Sequence, residues 1–221
     1  VEVTMVSRSL RGEYVVPLTV KRIAPYAFNE CEDITSIVLP EGLEEIREFA
    51  FSGCKGLVSL NIPSTVSDLS GSAIRSVPFE VVHIDPSKPI YYKDGQFICR
   101  KIDDEHVEVV SVDRSCEGNL ELPENVVRIG DYAFYGCDRL ASVAMPESVI
   151  SIGDYCFYGC EALQTVFIPA GTIGNDAFAF CRKLMSIEIG NNVTDIGSYA
   201  FMYCSNVVSV VIPKSVSAIG S

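Results

Sequence analysis

Cysteine is the residue with the widest chemical range in this chain. There are nine, beside two histidines and no tryptophan. An odd count without any Cys-x-x-Cys pair fits neither a zinc knuckle nor a dithiol redox centre. His83 and His106 have no second ligand at metal-site spacing, and without a histidine partner a cysteine nucleophile lacks its base. Asp103, Asp104 and Glu105 offer carboxylates, but three adjacent acids fan outward instead of converging on one calcium ion, so a solvated turn is expected. No phosphate-cradling Gly loop, His-Glu-x-x-His or Gly-x-Ser-x-Gly occurs. These residues predict no catalytic group, no cofactor and no metal site. Asn192-Val193-Thr194 is a glycosylation sequon, meaningful only in a eukaryotic secretory pathway.

The cysteine spacing has another cause. Residues 23–40 align with 46–63 at a step of 23: Ile23 on Ile46, Ala27-Phe28 on Ala50-Phe51, Cys31 on Cys54, Ile37 on Leu60, Pro40 on Pro63. The frame returns at Ile129, Ala133-Phe134, Cys137, Val143, Pro146, and again at Ile152, Cys156-Phe157, Cys160, Val166, Pro169. A coil shortened by two residues carries Ile173, Ala177-Phe178, Cys181, with Gly190 in the proline slot. The last full coil has Ile196, Ala200-Phe201, Cys204 and Pro213, and Val216, Ile219 and Gly220 open another. An imperfect first strand begins near residue 13.

One coil cannot enclose its own apolar side chains, but stacked coils bury one continuous core. The stretch Leu-x-x-Ile-x-Ile-Pro suits a short parallel strand stopped by proline. Ala-Phe-x-x-Cys suits a helical or 3₁₀ turn on the opposite side, with each Phe contributing roughly 1.5–3 kcal/mol of burial. Phe28, Phe51, Phe134, Phe157, Phe178 and Phe201 are expected to form one column, and Cys31, Cys54, Cys137, Cys160, Cys181 and Cys204 a second. Cys156 takes the Ala slot as a small packing residue. Neighbouring strands lie about 4.7–4.9 Å apart with parallel side chains, whereas a disulfide wants converging Cβ atoms about 3.8 Å apart, so a buried free-thiol ladder is expected.

The pattern Leu-x-x-Ile-x-Ile-Pro-x-x-Val-x-x-Ile-Gly-x-x-Ala-Phe-x-x-Cys resembles the BspA-like leucine-rich repeat family, over roughly residues 13–74 and 120–220. That resemblance implies an α/β, β-rich leucine-rich-repeat solenoid. Its coils of about 23 residues would stack right-handed, with one parallel sheet and short 3₁₀ or helical turns opposite. It also implies a cell-surface or secreted location.

The frame is lost between the third coil, where Ile74 and Val77 replace Phe and Cys, and the restart at Leu120, Leu122, Pro123. One repeat domain, 1–221, is expected, comprising N-terminal coils 13–78, an insert 79–118 and C-terminal coils 119–221. Asp94-Gly95 between apolar runs is a hairpin signal. With a third strand at Val107–Val112 it predicts a β-meander, exposing Tyr91, Tyr92, Asp94 and Gly95 as an insert surface. Inserts around Asp-Gly flanked by aromatics resemble those of the same family.

Strand residues that alternate with the core face outward. One outward column, Ser36, Ser59, Ser142, Thr165, Ser186 and Ser209, suits a structural hydroxyl ladder. The other, Val38, Asn61, Ala144, Phe167, Glu188 and Val211, is variable and partly apolar, and is the expected partner-binding face. A net charge of −12 opposes nucleic acid and anionic membranes, and no apolar run is long enough to span a bilayer. The expected function is non-catalytic recognition of a host or surface protein, as in an adhesin. The alternatives are a stalk displaying the insert or a neighbouring domain and, more weakly, carbohydrate binding through Tyr91, Tyr92, Tyr135 and Tyr158. The absent initiator Met suggests a mature or trimmed chain. The unfinished last coil, without a polar cap, suggests a trimmed end, a longer parent protein or end-to-end association through that coil.

Overall fold

In Ile-x-Ile-Pro the branched residues favour extended backbone and the proline, lacking an amide hydrogen, ends it. Repeated every coil, this makes a lane of parallel strands. The computed structural model describes residues 1–87 and 90–221, in two compact units, Val1–Arg100 and Lys101–Ser221. Lys88 and Pro89 of the expected insert lie outside the described residues.

The strands of the first unit are β1 (Glu2–Val3), β2 (Gly12–Val15), β3 (Arg22–Ile23), β4 (Ile34–Val38), β5 (Glu45–Ile46), β6 (Ser59–Ile62), β7 (Asp68–Leu69), β8 (Val82–Ile84), β9 (Tyr91–Asp94) and β10 (Phe97–Lys101). They form two parallel lanes, a broad one ordered β2-β4-β6-β8 and a narrow one ordered β1-β3-β5-β7. Equivalent positions pair, as in Ser36 with Ser59 and Ile23 with Ile46. The β9–β10 hairpin is antiparallel, and Gly95 supplies the positive φ its turn requires.

The second unit holds β11 (Val107–Val112), β12 (Gly118–Glu121), β13 (Val126–Ile129), β14 (Leu140–Ala144), β15 (Ser151–Ile152), β16 (Thr165–Ile173), β17 (Ser186–Ile196) and β18 (Ala218–Ile219). Its broad lane is β12-β14-β16-β17, and β11 opens its narrow lane by pairing parallel with β13. In most coils a proline turn separates the lanes, with Val149 N–H donating to Pro146 O at 3.1 Å. Two successive coils lack that turn, so β16 and β17 each run straight through both lanes and pair along their length. Close approach there demands glycine, since a Cβ on Gly171 would sit 1.6 Å from Ile150 O.

The phenylalanines stack within each unit. Phe28 and Phe51 have centroids 5.5 Å apart, and the second unit runs Phe134–Phe157 (4.6 Å), Phe157–Phe178 (4.9 Å) and Phe178–Phe201 (5.4 Å).

Three local expectations need correcting. A narrow lane of parallel strands accompanies the broad one in each unit, as a separate sheet in the first and joined to the broad lane through β16 in the second, because the coil turns two corners between its proline and its Phe. The Ala-Phe-x-x-Cys segments are also not helical. Each places residues in the left-handed region two before and two after Phe: Tyr132 and Gly136, Tyr155 and Gly159, Asp176 and Phe180. That alternation turns every second amide toward the next coil, so Tyr155, Phe157 and Gly159 N–H donate to Asn175, Ala177 and Ala179 O at 2.8, 2.6 and 2.9 Å. The turn is therefore a third inter-coil ladder. Lastly, residues 207–213, expected to be the strand of the last full coil, form none, and Val208 is 96% exposed.

Candidate functional site

Inward branched residues fix which strand positions point away from the core. In the first unit Val38 ends β4, and Asn61 pairs with His83, a third outward member that lies in the stretch where the sequence frame fades. Val38, Asn61 and His83 are all exposed, and a cleft of about 340 Å³ lies against Asn61, His83, Glu41 and Asp85.

In the second unit Asn119, Ser142, Thr165 and Ser186 are in register, and Ser142 Oγ donates to Asn119 Oδ1 at 2.7 Å. Beside them run Glu121 paired with Ala144, and Phe167 paired with Glu188. Ala144 and Glu188 are exposed, while Phe167 is half-buried and not the open anchor the alternation predicted. Val211 is 81% exposed but lies outside any strand, so it does not extend this column. It faces Glu188 instead across a cleft of about 450 Å³ lined also by Met185, Ser209 and Pro213. Glu121 was missed because the restart at Leu120 was recognised only by its core positions.

The expected insert surface divides. Tyr91 is 3% exposed, contrary to the expectation of a surface residue. Its hydroxyl donates to Ser67 O at 3.1 Å and accepts Leu69 N–H at 3.0 Å, so a phenol completes the edge of β7 where the next narrow strand would pair. Tyr92 is half-buried, its phenol raised above the ordinary value chiefly by burial, with the Cys99 thiol alongside. Asp94 and Gly95 are both exposed at the turn. The Lys93 ammonium lies 4.2 Å from the Phe79 ring centroid and donates to Phe79 O at 2.5 Å, tying the hairpin down.

All nine cysteines are free, and all but Cys204 are buried. The column has a polar logic that the disulfide and metal readings did not contain. Cys54, Cys160, Cys181 and Cys204 each donate S–H to the carbonyl of the preceding coil's Phe, Sγ to O being 3.1–3.2 Å. Burial raises the Cys54 thiol to about 12 and raises that of Cys160 as well, which keeps both protonated and able to donate. Cys116 joins the column by hydrogen bonding to Cys137. Its 21-residue distance from Cys137, equal to that between Cys160 and Cys181, was the available signal. Asp103 accepts from the amides of Glu105 and His106 at 2.9 and 2.7 Å and lies 2.9 Å from His106 Nδ1, so this carboxylate closes a turn. Among the described residues no helix is long and apolar enough to cross a membrane.

Tyr135 and Tyr158, considered as a sugar platform, stack on each other at 4.9 Å and 10°. Each ring covers a face of the other, and both residues are half-buried.

Comparison with known proteins agrees with this architecture. A leucine rich cell surface protein of Faecalibacterium prausnitzii A2-165 is 27% identical over 96% of this chain, with a TM-score of 0.64; this chain spans 60% of that protein. A leucine-rich repeat protein of Eubacterium ventriosum ATCC 27560 (19% identity, TM-score 0.55) is covered to 74% by 95% of this chain. The pneumococcal vaccine antigen PcpA (17%, TM-score 0.61) is covered to 62% by 95% of it. These last two share the fold. No curated protein matches. The model of the BspA type leucine rich repeat region matches six copies, over residues 15–109 and 114–221. This chain belongs to the BspA-type leucine-rich repeat family.

Proposed function

We propose that this chain is a non-catalytic scaffold that recognises another protein at a cell surface or in the extracellular space, as part of an adhesive molecule. The observation that carries the reading is the outward column of the broad lanes. Its hydroxyl rows are uniform, but the neighbouring positions change character from coil to coil: Val38, Asn61 and His83 in one unit, and Glu121, Ala144, Phe167 and Glu188 in the other. A purely structural ladder has no need of that variety, whereas a recognition surface built from side chains on a rigid ladder does. The similarity to a protein described as a cell surface protein supports the location.

The test is binding to immobilised epithelial-surface and extracellular-matrix proteins, comparing Phe167→Ala with Val38→Glu and with Asp94→Ala at the hairpin turn. Loss on changing Phe167 or Val38, with Asp94→Ala silent, supports the sheet face. Loss confined to Asp94→Ala transfers the function to the hairpin and leaves the coils as its stalk.

A further inference from the structure

The rings on the turn face of Lys101–Ser221 are not needed to fill the core. Tyr132 stacks on Tyr155 at 5.1 Å, while Tyr158, Phe180 and Tyr203 continue a second row at 5.0 and 4.7 Å with tilts of 48° and 39°. At the position equivalent to Tyr132 and Tyr155 the next coil carries Asp176, and the coil after it returns to tyrosine, Tyr199. The Tyr155, Asp176 and Tyr199 backbones follow at successive rungs: Tyr155 N–H donates to Asn175 O at 2.8 Å and Asp176 N–H to Ser198 O at 2.9 Å. Equivalent atoms one coil apart are about 4.8 Å apart, so the two tyrosines flank the aspartate at about twice that distance.

Asp176 is 8% exposed, and its φ of 52° is a conformation this side chain tolerates better than most. The Tyr155 phenol, raised above its ordinary value chiefly by the Asp176 charge, is hydrogen-bonded to that carboxylate. None of the ion pairs among the described residues involves Asp176. An anion held among aromatic rings without a cation favours a positive group that satisfies it and lies against the ring walls. The surrounding charge agrees, since Lys101–Ser221 carries seven Lys and Arg against sixteen Asp and Glu.

We propose that the turn face centred on Asp176, between Tyr155 and Tyr199, is a second interaction surface that takes an arginine-bearing segment of a basic partner protein. Guanidinium fits the chemistry best. Its planar fork pairs with a carboxylate while its remaining N–H groups reach phenol oxygens, and it is less strongly hydrated than ammonium.

The test is a titration of the whole chain with a short peptide of alternating arginine and glycine, read by tyrosine fluorescence in this tryptophan-free protein and by calorimetry. The control peptide carries glutamine for arginine. The expected result is tighter binding of the arginine peptide, weakened about tenfold or more by Asp176→Asn, as befits loss of one charge-assisted contact. Asparagine tolerates the same backbone region, and Tyr199→Ala, at a 53% exposed ring, gives an independent loss if the first variant proves unstable. Phe167→Ala on the sheet face is expected to leave this binding unchanged, which separates its failure from failure of the sheet-face reading. Equal binding of the two peptides, or retention of full affinity by both Asp176→Asn and Tyr199→Ala, overturns the proposal. So does an equal loss on Glu147→Gln at the proline corner, which makes the attraction diffuse.

Discussion

The turn at residues 71–77 and the turn around Phe157 hold the same place in their coils but are built differently. In the first, Ile74 and Val77 stand in the Phe and Cys slots, Gly71–Ile74 is a 3₁₀ turn, and no residue is left-handed. In the second, Phe157 and Cys160 fill those slots, and Tyr155 and Gly159 are left-handed at φ 54° and 70°. The difference teaches what the motif is for. A left-handed non-glycine residue costs roughly 1–2 kcal/mol. It is offset where it turns amides toward the next coil, where the rings stack and where a thiol caps the Phe carbonyl. With none of these available, the chain takes the tighter local turn.

The comparison is sharpened first by removing the rings. Phe157→Ala is expected to cost about 3–5 kcal/mol by the cavity it leaves, and Ile74→Ala about 2–3 kcal/mol, in urea unfolding. A larger loss at Ile74 breaks the comparison. Next is Cys160→Ala, which leaves the buried Phe134 carbonyl without its thiol donor. The expected cost is about 1–2 kcal/mol, measured the same way. Tyr158→Ala, which removes only surface stacking, is expected to cost about 0.5–1.5 kcal/mol and to reduce the near-ultraviolet tyrosine dichroism. The gentlest probe is Gly159→Ala, where a Cβ meets nothing nearer than 4.0 Å. Its expected cost of about 1 kcal/mol or less comes from φ alone, and a much larger value contradicts the left-handed geometry.

The pH response follows from the same thiols. Burial raises Cys54 and Cys99 from 9.0 to about 12 in the folded chain. The stabilisation from holding them protonated is complete below the unfolded value and is lost as pH climbs through the folded one. The urea midpoint is therefore expected to fall between pH 9 and pH 12. Chemically blocking exposed thiols is expected not to remove that decline, and a midpoint flat across this interval contradicts the burial.

The core was legible from the sequence because translation along the stack forces the same residue type onto the same contact. Phe134, Phe157 and Phe178, or Ile23 and Ile46, declare their positions by recurrence. The left-handed pair was not legible, since its slots hold Tyr, Phe or Asp and then Glu, Gly, Phe or Tyr. The amide ladder that fixes those slots selects backbone direction, not side-chain type. Tyr91 misled for a related reason. It has no counterpart in the repeat, so nothing in the pattern revealed that a phenol finishes the edge of β7. The outward column was placed by alternation alone, and Val38, Asn61, Ala144 and Glu188 are exposed. Alternation carries no information on the half-burial of Phe167 or the departure of Val211 from the strand.

The most direct measurement is a thiol titration of the unreduced protein, native and then denatured. The ladder of buried S–H donors requires nine reactive thiols after denaturation and rapid reaction of only the partly exposed Cys204 before it. Fewer than nine after denaturation, or rapid native labelling at Cys54, Cys160 or Cys181, would contradict it.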